Sequence, residues 1–168
     1  MDKSWILKQY RPFWDEESIC FPTFGGQPWR RSPWAWSNPK VRAYGDKGLL
    51  LPVDATQGRD VVLVEGDYKA CAIPLPWLGV AIGGVTLSEY QGVLASTLRP
   101  RSWTIMLDGG KEVEAEEIRR KLRVFSPVVR VAPIPYKKGP DDVTRTILLK
   151  ALLVCEPSLK DVKDLLGC

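Results

Sequence analysis

The sequence predicts an α/β fold, a parallel sheet flanked by helices, preceded by a small α+β lobe. Two observations lead there. From residue 61 onward, apolar β-type runs at 61–64 (VVLV), 79–82 (GVAI), 103–107 (WTIML) and 128–132 (VVRVA) are separated by segments of helical character. Regular alternation of this kind builds a parallel sheet with crossover helices. Before residue 60 the texture differs: the chain is rich in Trp, Pro, Gly and Arg, with only short apolar runs at 19–22 and 49–53, as in a loop-rich lobe with short strands.

Taken in order, 61–64 reads as a buried strand, 68–73 as a short helix and 79–82 as the second strand. Thr86 or Ser88 is placed to cap a helix running to about residue 97, with Leu87, Tyr90, Val93 and Leu94 on one face. The third strand, 103–107, ends at Asp108. Residues 111–124 (KEVEAEEIRRKLRV) form the clearest amphipathic helix, with acids early and bases late as the helix dipole favours. After the fourth strand, the loop 133–140 (PIPYKKGP) delivers Asp141 and Asp142 to the start of a helix reaching about residue 154. Pro157 breaks the chain before a short terminal helix at 159–166. The organisation is therefore a basic, Trp-rich lobe over 1–59, a core over 60–156 and a short C-terminal helix over 157–168.

The composition narrows the chemistry. The chain has 168 residues, 45% of them hydrophobic, enough for one core with an appended lobe. A formal charge of +4 confines any nucleic-acid footprint to a local patch. There is no histidine, and Cys20, Cys71, Cys155 and Cys168 have no C-x-x-C spacing, so no zinc ribbon or finger is expected and the cysteines read as plain thiols. Hydrolase triads lack their imidazole, leaving carboxylates, lysine or metal-bound water for catalysis. With no apolar run of membrane-spanning length, the expectation is a soluble, cytoplasmic protein without a membrane partner.

Two acids end apolar strands: Glu65 closes 61–66 (VVLVEG) and Asp108 falls in 103–110 (WTIMLDGG). Parallel strands bring their carboxyl ends side by side, where open α/β sheets bind ligands. Glu65 and Asp108 are therefore candidate neighbours, and hard oxygen donors of this type suit Mg²⁺ or Mn²⁺.

The succession VVLVEG, AIGGVTLSEYQ, TIMLDGG with a long helix after it, and VRVAPIPYKKGPDD resembles the Toprim family, the catalytic fold of bacterial-type primases, topoisomerases and some nucleases. The resemblance covers roughly residues 59–152. It implies a strand-end glutamate at Glu65, acting as ligand or general base, a first metal ligand at Asp108, and Asp141 and Asp142 assisting a second ion. Gly110 stands where the family's D-x-D has its second acid, and Lys69 where primases carry another; Asp67, Glu112 and Glu114 are near enough in sequence to compensate. The segments at 18–22 (SICFP), 25–31 (GGQPWRR) and 39–52 further resemble the small lobe of the bacterial and phage primase polymerase domain. That implies a nucleic-acid- and nucleotide-facing set of Arg30, Arg31, Lys40, Arg42, Lys47 and Lys69, with Trp29, Trp34 or Trp36 stacking on bases.

The resemblance implies a minimal primase core. It would join ribonucleoside triphosphates on a single-stranded DNA template with Mg²⁺ or Mn²⁺, in a bacterial or phage-infected cytoplasm. A separate replicative helicase is an implied partner. Two alternatives stay open: a Toprim nuclease, and a catalytically degenerate Toprim module that binds single strands or a replication partner.

Overall fold

The computed structural model describes residues 10–15, 18–32, 47–50 and 58–154, together with the backbone of 41–42. In the N-terminal lobe, strands β1 (Phe13–Asp15), β2 (Ser18–Phe21), β3 (Trp29–Arg31) and β4 (Val41–Arg42) form an antiparallel sheet in that order. The core contributes β5 (Asp60–Val64), α1 (Asp67–Ala72), β6 (Leu78–Ala81), α2 (Glu89–Thr97), β7 (Ser102–Ile105), α3 (Glu112–Arg123), β8 (Val129–Val131) and α4 (Arg145–Val154). Its four strands are all parallel, in the order β6-β5-β7-β8. The predicted α/β class, parallel sheet and preceding lobe are thus all present.

Strand β5 is enclosed on both faces, as the middle of a parallel sheet must be, and its side chains alternate between two apolar layers. Val62 and Val64 join Ala70 and Ile73 of the α1 region, Leu148 and Leu152 of α4, and Tyr10, Phe21 and Trp29 of the lobe. Val61 and Leu63 join Leu78, Val80, Trp103 and Ile105 of neighbouring strands and Ala115, Ile118 and Leu122 of α3. The lobe therefore shares an apolar layer with the sheet. Backbone pairing of Leu50 with Ala81 adds a tie at the β6 edge. The Tyr10 hydroxyl adds another, lying 2.8 Å from the Gly79 carbonyl and 3.1 Å from that of Ala70.

The helices follow local chemistry, with two shifts from expectation. Ser88 caps α2 in a reciprocal capping box with Gln91. The buried positions of this helix are Gln91 and Ala95, however, while Tyr90 and Val93 are exposed. The helix is rotated because the Gln91 amide also donates to the carbonyls of Ile82 (2.8 Å) and Gly48 (3.2 Å), and the Tyr90 hydroxyl reaches the Gly25 carbonyl of the lobe. Helix α4 starts at Arg145, not at Asp141, because Asp142 closes its own turn: its carboxylate accepts from Gly139 N at 3.1 Å, and its N–H donates to Gly139 O at 3.0 Å. Helix α3 buries Ala115, Ile118 and Leu122 as its amphipathic pattern requires. The terminal helix expected at 159–166 lies outside the described residues. Among the described residues no helix is long and apolar enough to cross a membrane.

At the amino end of the sheet, Asp60 accepts from Arg101 Nε at 2.9 Å and Ser102 Oγ at 2.7 Å, and the bond to Arg101 holds its carboxyl below the usual aspartate range. A depressed folded pKa stabilises the fold above the unfolded value near 3.9, and that contribution is lost as pH falls through the folded value. Because Arg101 is largely exposed, Asp60→Asn should cost about 1 kcal/mol at pH 7. Denaturant titrations at pH 7 and pH 3 should show this difference shrinking at the lower pH.

Candidate functional site

The carboxyl edge of the parallel sheet is shaped by the close approach of two loops. After β7, Gly109 donates to Lys138 O at 2.9 Å and accepts from Lys137 N at 3.2 Å. A Cβ on Gly109 would lie 2.1 Å from the Pro135 carbonyl oxygen, so only glycine permits this pairing. Asp108 and the acidic loop are thereby brought together: an added Cβ on Gly139 would stand 2.7 Å from Asp108 Oδ1 and 2.8 Å from Asp141 Oδ1.

Glu65 and Asp108, separated by 42 intervening positions in sequence, meet at this edge. Glu65 Oε1 accepts from the backbone N–H of Asp108 at 3.0 Å. Between the two carboxylates lies the ammonium of Lys69, 2.6 and 2.5 Å from the Asp108 oxygens and 3.2 Å from Glu65 Oε2. Burial disfavours the charge on Lys69, but the bonds to Asp108 and the negative charge of Glu65 outweigh it and lift its pKa above the ordinary lysine value. Lys69 therefore neutralises the pair. This role was not anticipated from the sequence, although the i, i+4 spacing of Glu65 and Lys69 is the signal that carries it.

The remaining acids are differently placed. Asp141 stands beside Asp108 across Gly139, and its charge is also felt by Arg31. Asp142 closes the turn described above. Asp67 is buried against Arg31, Glu112 accepts from Gly110 N at 3.0 Å, and Glu114 pairs with Lys111 at 3.0 Å, so each of these three is engaged elsewhere than with Asp108. Gly110 has φ of +97°, and a Cβ there would sit 2.9 Å from the Tyr136 ring. An aspartate at this position would be strained and would have to push Tyr136 aside.

The basic candidates divide similarly. Arg31 is bound through both nitrogens of its fork to the Asp67 carboxylate, with Nε to Oδ2 at 2.5 Å, and its guanidinium lies 3.9 Å above the Tyr68 ring. It links β3 to α1. Arg30 is more exposed and pairs with Asp15 at 2.6 Å. Lys47 is exposed, donating to Gly83 O at 3.2 Å, and lines a groove of about 480 Å³ with Ile82, Gly83, Gly84, Ser88 and Tyr90. Lys40, Trp34, Trp36 and the Arg42 side chain lie outside the described residues. Trp29 is buried beneath Gly83, so it packs the core and cannot stack on a base. Cys20 and Cys71 are buried free thiols, and burial pushes Cys71 up to about 12, which removes thiolate chemistry at neutral pH.

The donors at the edge fit one hard divalent ion: two carboxylates already share a single cation, Lys69. Among the described residues no three His, Cys, Asp or Glu side chains converge as a ligand cluster. A Mg²⁺ ion commonly takes one or two protein carboxylates and completes its shell with water and substrate phosphates, and Glu65 and Asp108 are donors of that kind.

Replacing Asp67 by Asn should destabilise the protein by about 3 kcal/mol, because it leaves the Arg31 charge partly buried without its partner. The double variant Arg31→Met/Asp67→Leu should lose less than the single one. Equilibrium unfolding of both variants measures the difference.

No protein-family model matches the chain, and no curated protein sequence matches it. Solved structures do share its fold. The Aquifex aeolicus primase, comprising zinc-binding and RNA polymerase domains, superposes with a TM-score of 0.61 at 16% identity over 89% of this chain and 44% of that one. The primase fragment of the bacteriophage T7 primase-helicase protein gives 0.63 at 13% identity, over 89% of this chain and 68% of that one. The chain thus spans less than half the length of the Aquifex structure. Its fold is primase-like.

Proposed function

We propose that this chain is a primase-type nucleotidyltransferase core that makes RNA primers on single-stranded DNA. The observation that carries the reading is the convergence of Glu65 and Asp108 on one cation at the carboxyl edge of a primase-like sheet. Asp141 borders the same point. Glu65 and Asp108 would hold Mg²⁺ or Mn²⁺, which when bound would neutralise phosphate charge during nucleotidyl transfer. Alternatively, Glu65 would act as general base for the attacking hydroxyl once Lys69 has left its Oε2. Lys47 at the mouth of the groove, with Arg30 on the lobe, would attract template or triphosphate without reading sequence. The Arg31–Asp67 pair positions α1, and through it Lys69. A separate helicase chain is the proposed replication partner.

A second reading has specific support. Gly110 supplies no second acid, and Lys69 already satisfies the pair; a non-catalytic module that binds single strands would show both features.

The test is incubation of the protein with single-stranded DNA, labelled ribonucleotides and Mg²⁺ or Mn²⁺. The wild type should yield labelled oligonucleotides, and Glu65→Gln should reduce the yield at least about 100-fold while leaving DNA binding intact. Binding without synthesis by the wild type would favour the second reading. Charge reversal of Arg30 and Lys47 together should weaken DNA binding and flatten its log–log salt slope by about 1.4, the value for two lost phosphate contacts on a single strand. An unchanged slope would place the groove elsewhere.

A further inference from the structure

We infer that Lys69 is a resident cation which a divalent ion must displace to reach Glu65 and Asp108, so that Lys69 sets the metal affinity of this centre. The inference rests on the metal-binding role proposed above for these two carboxylates.

The geometry leaves little alternative for an incoming ion. Lys69 contacts both oxygens of Asp108 and one of Glu65, and the other Glu65 oxygen is held by the Asp108 backbone N–H. Every carboxylate oxygen of the pair is therefore already engaged. The Lys69 carbon chain is also close to Gly139, whose added Cβ would stand 3.2 Å from Lys69 Cε, so the acidic loop flanks the ammonium. A dication and the ammonium cannot share this point. Their repulsion at ~4 Å is worth about 2 kcal/mol even at the dielectric constant of water. Entry must then be an exchange, in which the ammonium leaves the pair as the ion arrives.

The route out is set by the neighbours of Lys69 on α1. Asp67 and Tyr68 are fixed by Arg31, so the helix backbone stays in place and only the flexible lysine stem has to swing. The bonds to the carboxylates are electrostatic and replaceable by water. Lys111, partly exposed and close enough for Glu65 and Asp108 to raise its pKa after its main partner Glu114, adds positive charge at the rim. Both lysines oppose the dication, but only Lys69 occupies its place.

The probe is Mn²⁺ alone, followed by its electron paramagnetic resonance signal in the wild type, Lys69→Met and Lys69→Met/Asp108→Asn. Lys69→Met should bind Mn²⁺ about tenfold or more tightly than the wild type, given the repulsion removed, and adding Asp108→Asn should abolish the gain. Unchanged or weaker binding by folded Lys69→Met would overturn the inference. A second measurement uses the wild type alone, in case the uncompensated carboxylates prevent the variant from folding. Addition of Mn²⁺ should raise the rate at which an amine-reactive reagent modifies Lys69, read by mass spectrometry, and no rise at saturating Mn²⁺ would overturn the inference. If Mn²⁺ exchanges with Lys69 but no primers are made, the polymerase reading falls and the exchange stands. If primers are made and Lys69→Met gains no affinity, the reverse holds.

Discussion

Parallel pairing of β5 on both of its edges is the constraint from which the rest follows. With β6 on one side and β7 on the other, the carboxyl ends of β5 and β7 are adjacent, and the residues just beyond them, Glu65 and Asp108, have to meet. The same pairing buries β5 on both faces, which requires a layer above and a layer below. Helix α3 supplies much of one layer. The other is completed by α1, α4 and the lobe, whose Tyr10, Phe21 and Trp29 enter the cluster around Val62 and Val64. The lobe is held by apolar packing, by strand pairing at Leu50 and by the Arg31–Asp67 pair.

Two like charges meeting at a sheet edge would repel, and the chain answers with a lysine one turn beyond the glutamate. Three consecutive residues then divide the work of orienting α1. Asp67 and Tyr68 face Arg31 of the lobe, and Lys69 faces the carboxylates. On the other side, the Gly109–Pro135 approach brings the acidic loop against Asp108. The loop after β7 and the acidic loop are thus tied together at the centre.

Much of this was legible in the sequence. The strands appear within a residue or two of their predicted ends because fully buried β-type runs bounded by Gly, Pro and Asp leave few other solutions; parallel order makes Glu65 and Asp108 candidate neighbours, and the pairing of β5 with β7 makes them actual ones. Ser88 as a cap was equally direct. The rotation of α2 was not, because the burial of Gln91 depends on carbonyls of Gly48 and Ile82 far from it in sequence. The same holds for Arg31, which pattern alone groups with surface bases and which tertiary structure commits to a buried aspartate. Trp29 is offered as a platform for bases by the resemblance to the primase small lobe, and its burial under Gly83 depends on how the lobe seats on the core. Lys69 is visible in the sequence as a departure from the family pattern, but its place between the two carboxylates, as their counter-ion, depends on the β5–β7 pairing that brings Asp108 to Glu65.

The most direct measurement is a crystal structure of the wild-type protein grown with Mn²⁺, with anomalous scattering collected to locate the ion. The account predicts a peak coordinated by Glu65 and Asp108, with the Lys69 ammonium withdrawn from both. A Mn²⁺ ion bound at that edge with Lys69 still bonded to Asp108 and Glu65, or bound only at other carboxylates, would contradict it.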